Sequence, residues 1–361
     1  MMLIKVELDA SIVKKIEELI VRGSYTDIHQ FLSVAIFNQL EEEISSTAKL
    51  DTNSGLLSSE ISPSIPLKPS KTAETTTVRS VNPLRADWRA GLKGMQMEST
   101  QIEPKPSDLI WYFYNRFFPI KVVIYQLATI MVTQRNNWID LGDLQVQAFE
   151  FAQEVATRLK NIEIRAKMPR NKKLSTGLPA SSMELISLRG TARKKKDDKL
   201  IRGRTRFMDQ IVGKYVPKER IFTGACFDLG LIGIRYTDEN TYVSLTQLGK
   251  EFALLENPIL DKDSFESAFS DKEVRFIFYN IYKRFRLENK IVKKIIEWLK
   301  IETLTSSQID SLFKEENRKT FTVERIATMG RLSELMIVNW EIDRQGKSIY
   351  SLNQEKYQLL N

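Results

Sequence analysis

The side chains in this chain best placed to do chemistry are its cations, and they are concentrated. Residues 158–220 hold 19 Lys or Arg against 6 Asp or Glu, a net of +13 in a chain whose total is +8, so the remainder stands at −5. Lysine and arginine neutralise phosphate, and arginine also reads guanine edges, so such a block points to double-stranded DNA. Two runs lie within it, Lys167-Met168-Pro169-Arg170-Asn171-Lys172-Lys173 and Arg193-Lys194-Lys195-Lys196. They read as phosphate contacts, with a solvated loop as the plain alternative. A helix expected over 199–215 puts Arg202 and Arg206 on one face and Arg204 on the other, although Gly203 and Gly213 interrupt it.

The remaining reactive residues argue against catalysis. Cys226 is the single cysteine, sits between Ala225 and Phe227, and reads as a small core residue. It excludes an internal disulfide framework and fits a reducing compartment. His29 is the single histidine, and one Cys with one His cannot build a zinc site of the usual ligand types. No glycine motif that cradles phosphate occurs. Asp261 and Asp263 flank Lys262 after Asn257-Pro258, a spacing that suits either a magnesium ion or a loop and helix cap. The expectation is a non-enzymatic protein with no cofactor and no metal.

These residues need elements to hold them. A length of 361 residues with 42% hydrophobic and 28% charged side chains suits two or three folded domains. No apolar run is long enough to span a membrane. Lys5, Glu7 and Asp9 break any signal-peptide core, so the chain reads as cytoplasmic.

At the N-terminus Ile4, Val6 and Leu8 alternate as in a strand. Asp9 is placed to cap a helix carrying Ile12, Ile16, Leu19 and Ile20 on one stripe. Gly23 suits a helix stop, and Ile28, Phe31, Leu32, Ala35, Ile36 and Leu40 face inward from a second helix. A unit this small needs a second copy to close its core. Val6-Glu7-Leu8, the Gly23-Ser24-Tyr25 turn and the helix after it resemble the ribbon-helix-helix family of dimeric repressors. The resemblance implies a homodimer over residues 1–44 whose paired strands lie in the major groove. Its outward strand residues are Leu3, Lys5 and Glu7, and Lys5 is the cation among them. Whether this unit reads DNA or only dimerises stays open.

Residues 45–107 read as a flexible linker rich in Ser, Thr and Pro, with six of the eleven prolines. Inside it Trp88, flanked by Arg85 and Arg89, is either a chance tryptophan or an anchor for a protein partner. Order is expected again from Asp108. The aromatic run Ile110–Phe118 reads as core rather than a base-stacking platform, and Pro119 opens a helix to Val132. A second helix covers 141–160, with Leu144, Ala148, Phe151, Val155 and Leu159 on one face.

Glu219–Leu229 then reads as a helix, followed by strands at 230–235 and 241–246. The C-terminal region repeats this layout, with helices over 291–299, from Ser306 or Ser307, and over 322–335, and a hairpin of 337–340 with 349–353. Both resemble winged-helix domains, and Ser244-Leu245-Thr246 corresponds to Ser351-Leu352-Asn353. The resemblance implies recognition residues Lys214, Lys218, Arg220 and Thr223 in the first unit and Thr322, Glu324, Arg325, Thr328 and Arg331 in the second. Arg235, Arg344 and Lys347 fall on the wings.

The expected fold class is mainly α with small β-hairpins: a ribbon-helix-helix unit, a disordered linker, a basic helical domain with a winged helix over 108–262, and a second winged-helix-like domain over 263–361. The expected function is a dimeric DNA-binding protein, a transcriptional regulator or DNA-maintenance factor. The alternative is an adaptor subunit of a multiprotein assembly, such as a mobile-element or defence complex, whose winged helices contact proteins.

Overall fold

A computed structural model describes residues 87–104, 107–111, 114–179, 203–216, 219, 221–237, 240–316, 321–343 and 346–360. The expected ribbon-helix-helix with Lys5 and His29, the greater part of the expected linker, the run Arg193 to Lys196, and Arg202, Lys218, Arg220 and Arg344 lie outside them. The described residues are mainly helical, with three small antiparallel sheets.

At the centre is α2 (Phe118–Gln134), after a short helix α1 (Asp87–Gly94). Pro119 starts α2, and Arg135 ends it at φ 52, its N–H donating to the Met131 and Val132 carbonyls. Its β-branched residues are poor helix formers, but Ile120, Val122, Val123 and Ile124 are all buried, so tertiary burial outweighs propensity. Strand β1 (Ile139–Asp140) leads into α3 (Leu141–Arg165), capped by the Asp140 side chain on the Gly142 and Asp143 amides. Leu144, Ala148, Ala152, Val155 and Leu159 form its buried stripe.

After α3 the chain forms β2 (Lys214–Val216), β3 (Ile221–Thr223), a short α4 (Ala225–Asp228), β4 (Ile232–Tyr236), β5 (Thr241–Leu245) and α5 (Gln247–Leu254). Helices α6 (Pro258–Lys262) and α7 (Asp271–Phe276) lead to α8 (Arg286–Leu299). A second series follows: β6 (Leu304–Thr305), α9 (Ser306–Glu315), α10 (Phe321–Glu334), β7 (Val338–Ile342), β8 (Ser348–Leu352) and α11 (Gln354–Gln358).

The two series share one layout. In each, a helix and a short strand precede a hairpin, and the short strand pairs with the hairpin's second strand, giving orders β1-β5-β4 and β6-β8-β7. The match extends to single hydrogen bonds. Thr246 N–H donates to Leu231 O and Asn353 N–H to Ile337 O, and both side chains cap the helix that follows. Gly230 at φ 71 and Met336 at φ 58 end the preceding helices in the left-handed region. On this alignment Asp228 corresponds to Glu334, and both reach the same segment: the Tyr114 hydroxyl donates to Asp228 at 2.6 Å, and the Phe117 amide donates to Glu334 at 2.5 Å.

Four expectations need correction. Glu219–Leu229 is not one helix but β3 followed by α4, because Gly224 at φ 147 turns the chain against Gly213 at φ 126. The helix expected to 215 widens into a π turn at Phe207–Val212 and stops there, and Lys214 already belongs to β2. The expected linker ends earlier than 107. Residues 87–94 are helical, and Thr100 bonds both backbone groups of Ile234 at the edge of β4. Finally, Trp88 is not offered to a partner: it is 5% exposed, edge-on to Tyr125 at 5.0 Å, while Arg89 pairs with Asp261 at 2.6 Å. The described part of the aromatic run is core as expected, with Ile110, Tyr114, Phe117 and Phe118 buried, although Trp111 stays partly outside.

Candidate nucleic-acid interface

The basic region is built around a glycine crossing. Gly213 and Gly224 pass so closely that a Cβ on either would strike the other's backbone or the Phe222 ring. Gln145 donates to the Gly213 carbonyl at 2.7 Å and ties the crossing to α3. From this base the hairpin of β2 and β3 projects beside that of β4 and β5. The Tyr215 and Tyr236 rings stack between them, 5.2 Å apart with 27° between planes.

Several expected cations lie at this surface. Arg204 is exposed with its guanidinium 5.5 Å from the Phe149 ring centre, and Arg206 is exposed and donates to Gln210. Lys214 is exposed, with its ammonium 3.1 Å from Asp209. Arg235 lies over the Trp138 ring at 5.0 Å, near Tyr242 at 5.8 Å and 4.0 Å from Glu98. The Trp138 indole N–H donates to Glu98, which together with Asn137 and Arg235 holds that carboxyl below its ordinary pKa.

Lys172 and Lys173 follow α3 in a loop pinned by a buried acid. Glu163 accepts from the Ser175 amide at 2.7 Å and its hydroxyl at 2.8 Å. Asn171 donates to the Trp340 carbonyl at 2.6 Å, which joins this loop to the second series. Lys172 is thereby left exposed and Lys173 half-buried.

The second series treats its expected readers differently. Arg331 is 1% exposed, bonds Glu288 at 2.6 Å and the Tyr114 carbonyl at 2.8 Å, and cannot meet a phosphate. Arg325 is tied to Asp310 at 2.6 Å and to the Ser306 hydroxyl at 3.0 Å, so it braces α10 on α9. Glu324 and Thr328 are buried, whereas Thr322 and Lys347 are exposed. Gly330 faces the Asn115 carbonyl so closely that a side chain would press on it. The C-terminal half of α10 is therefore a packing surface, and the expectation of DNA contacts from Arg325 and Arg331 is withdrawn.

A cationic stripe escaped the sequence reading. Residues 283–300 hold seven Lys or Arg and two Asp or Glu. On α8, Arg286, Lys290 and Lys293 share an exposed face, with Lys290 paired to Glu316 at 2.6 Å. The spacing of Arg286, Lys290 and Lys293 marks the helix face opposite the inward residues Ile291 and Ile295.

Glu334 provides a pH handle on this packing. Its carboxylate accepts from the Phe117 and Phe118 amides and caps α2, whose first turn contains no acid of its own. Burial nevertheless pushes it up to about 7 from an ordinary 4.5. A folded pKa above the unfolded one gives stability that is complete below the unfolded value and lost as pH rises through the folded one. Glu334→Gln should therefore match the parent at pH near 4.5 and exceed it above about 7, by roughly 1–3 kcal/mol. Parallel urea melts across that range test this, and a difference that does not change with pH would refute it.

The other candidate chemistry resolves into structure. Cys226 is fully buried and burial pushes its thiol up. Asn257 caps α6, Asp261 accepts from the Asn257 amide and pairs with Arg89, and Asp263 pairs with Arg158. Among the described residues no group of three or more His, Cys, Asp or Glu is arranged to hold a metal, and no helix is long and apolar enough to cross a membrane. No protein-family model matches the chain, and no curated protein or solved structure is similar enough to count as a match.

Proposed function

We propose that this chain is a non-enzymatic DNA-binding protein that grips duplex through the first of two winged-helix-like units. In this reading the N-terminal ribbon-helix-helix joins two copies, and tethering raises the effective concentration of one body beside another on the same DNA. The observation that supports it most is where the cations expected to read DNA stand in each unit. Lys172, Arg204, Arg206 and Lys214 are at the surface of the +13 region, while Arg325 and Arg331 of the second unit are used internally. Transcriptional control and DNA maintenance both fit such a protein.

The test is fluorescence anisotropy of the full chain on mixed-sequence duplex across a salt series. Binding should weaken steeply with salt. Replacing Arg204, Arg206 and Lys214 together by Gln should lower the log–log slope by about 2–3, at roughly 0.9 for each lost phosphate contact. Absent binding at low salt, or a slope the triple variant leaves unchanged, would sink the reading.

A protein-docking role for the second unit is favoured by Ile326 on α10, 50% exposed, and Ile342 on its hairpin, 59% exposed. That adaptor reading becomes the leading one if duplex is not bound.

A further inference from the structure

In the second unit the helix before the hairpin is α10, 14 residues long; at the corresponding place the first unit has the four residues of α4. The chain ahead of α4 forms the β2–β3 hairpin instead. The described part of the first unit therefore offers no long helix at that place to lay in a major groove. What it offers is a pair of stacked tyrosines.

Tyr215 belongs to β2 and Tyr236 to the outer end of β4, in two sheets that share no ladder. Tyr236 is 38% exposed, in a fold that buries most of its large aromatic rings. The rings are near-parallel at 27°, Tyr236 is the more exposed of the two, and a third ring laid on it would continue an offset stack. The described cations of this stretch, Arg204, Arg206 and Lys214, are all exposed, and Lys214 is the residue before Tyr215. Aromatic faces within a basic surface are what proteins use to hold unpaired bases, because every base has a π face and every linkage a phosphate.

We propose that the Tyr215–Tyr236 stack is a seat for an unpaired nucleobase, so that the body prefers duplex DNA with an adjoining single strand over blunt duplex. This deepens the duplex-binding reading and rests on it. The stacked base would extend the tyrosine pair, and the neighbouring cations would follow its phosphates.

The experiment uses the full chain and two probes, a blunt duplex and the same duplex with a short oligothymidine arm containing one pyrrolo-deoxycytidine. The parent should bind the armed duplex about tenfold more tightly, the effect of one stacked base, and should quench the fluorescent base. Tyr236→Phe and Tyr236→Trp keep a stacking face and should retain both effects. Tyr236→Leu should lose the preference and the quenching, with a loss of affinity for the armed duplex about tenfold larger than any loss on the blunt one. Equal affinity of the parent for both probes would overturn the proposal. So would quenching that survives in Tyr236→Leu, or a loss in that variant equal on both probes. Failure of the parent to bind the blunt duplex strikes the underlying duplex reading, whereas failure on the arm alone strikes this one.

Discussion

Arg331→Met should lower the stability of the chain by about 3–5 kcal/mol, the loss expected when one member of a buried ion pair is removed. Its partner Glu288 is 2% exposed and would be left with the Thr328 hydroxyl, at 2.9 Å, in place of a cation. The Tyr114 carbonyl would lose its guanidinium donor as well. Only 2.6 Å separates the Arg116 guanidinium from the Gly330 carbonyl one residue away, so the damage falls where the two units meet segment 114–118. Urea melts measure the loss. Pairing the change with Glu288→Gln should recover part of it, since a neutral amide tolerates burial better than an unpaired carboxylate. On the proposed duplex-binding reading, the affinity of the folded fraction for duplex should stay as in the parent. A marked affinity loss without a stability loss would return Arg331 to the surface role its sequence suggested.

That residue shows where sequence reading stops. Arg331 sits in a helix of the expected length, three turns after a plausible start, in a position where a groove-reading helix would carry a cation. Nothing local distinguishes an outward arginine from one aimed at Tyr114, which is 217 residues away. Periodicity reports which face of a helix is apolar; it cannot report that a polar face is covered by a distant segment. The same limit hid the β2–β3 hairpin, whose base depends on Gly213 meeting Gly224 across a turn.

Where the signal is local the reading succeeded. The interior of α2, the apolar stripe of α3 and both hairpins lie within a few residues of their expected places, because each carries its own period and turn residues. The pairing of Ser244-Leu245-Thr246 with Ser351-Leu352-Asn353 also held, and for a physical reason: each ends a strand whose next residue caps a helix. Trp88 failed for the opposite reason. A prolines-and-serines background made it look isolated, while its burial against Tyr125 depends on a helix some distance along the chain.

The second large effect lies in α2 itself. Lys121 is 0% exposed in the middle of an apolar helix, and its ammonium meets Glu273 at 3.0 Å, the Phe252 carbonyl at 2.6 Å and the Leu255 carbonyl at 2.9 Å. Burial pushes the ammonium down and the Glu273 carboxyl up, each towards neutrality, and each opposes that shift in the other. Glu273 also accepts from Asn257 and from the Ser270 amide, closing the capping box of α7. One ion pair thus holds α2, the end of α5, the cap of α6 and the start of α7. Lys121→Met should cost about 3–5 kcal/mol, because it strands the buried Glu273 and takes a charged donor from the Phe252 and Leu255 carbonyls. Glu273→Gln should cost less, since the amide still accepts from Asn257 and Ser270. The double variant should be more stable than the sum of the two losses predicts, by about 1–3 kcal/mol. Additive losses would mean that Lys121 and Glu273 act through separate partners. In that case the carbonyls of Phe252 and Leu255, rather than the carboxylate, would be what fixes a lysine at the centre of the fold.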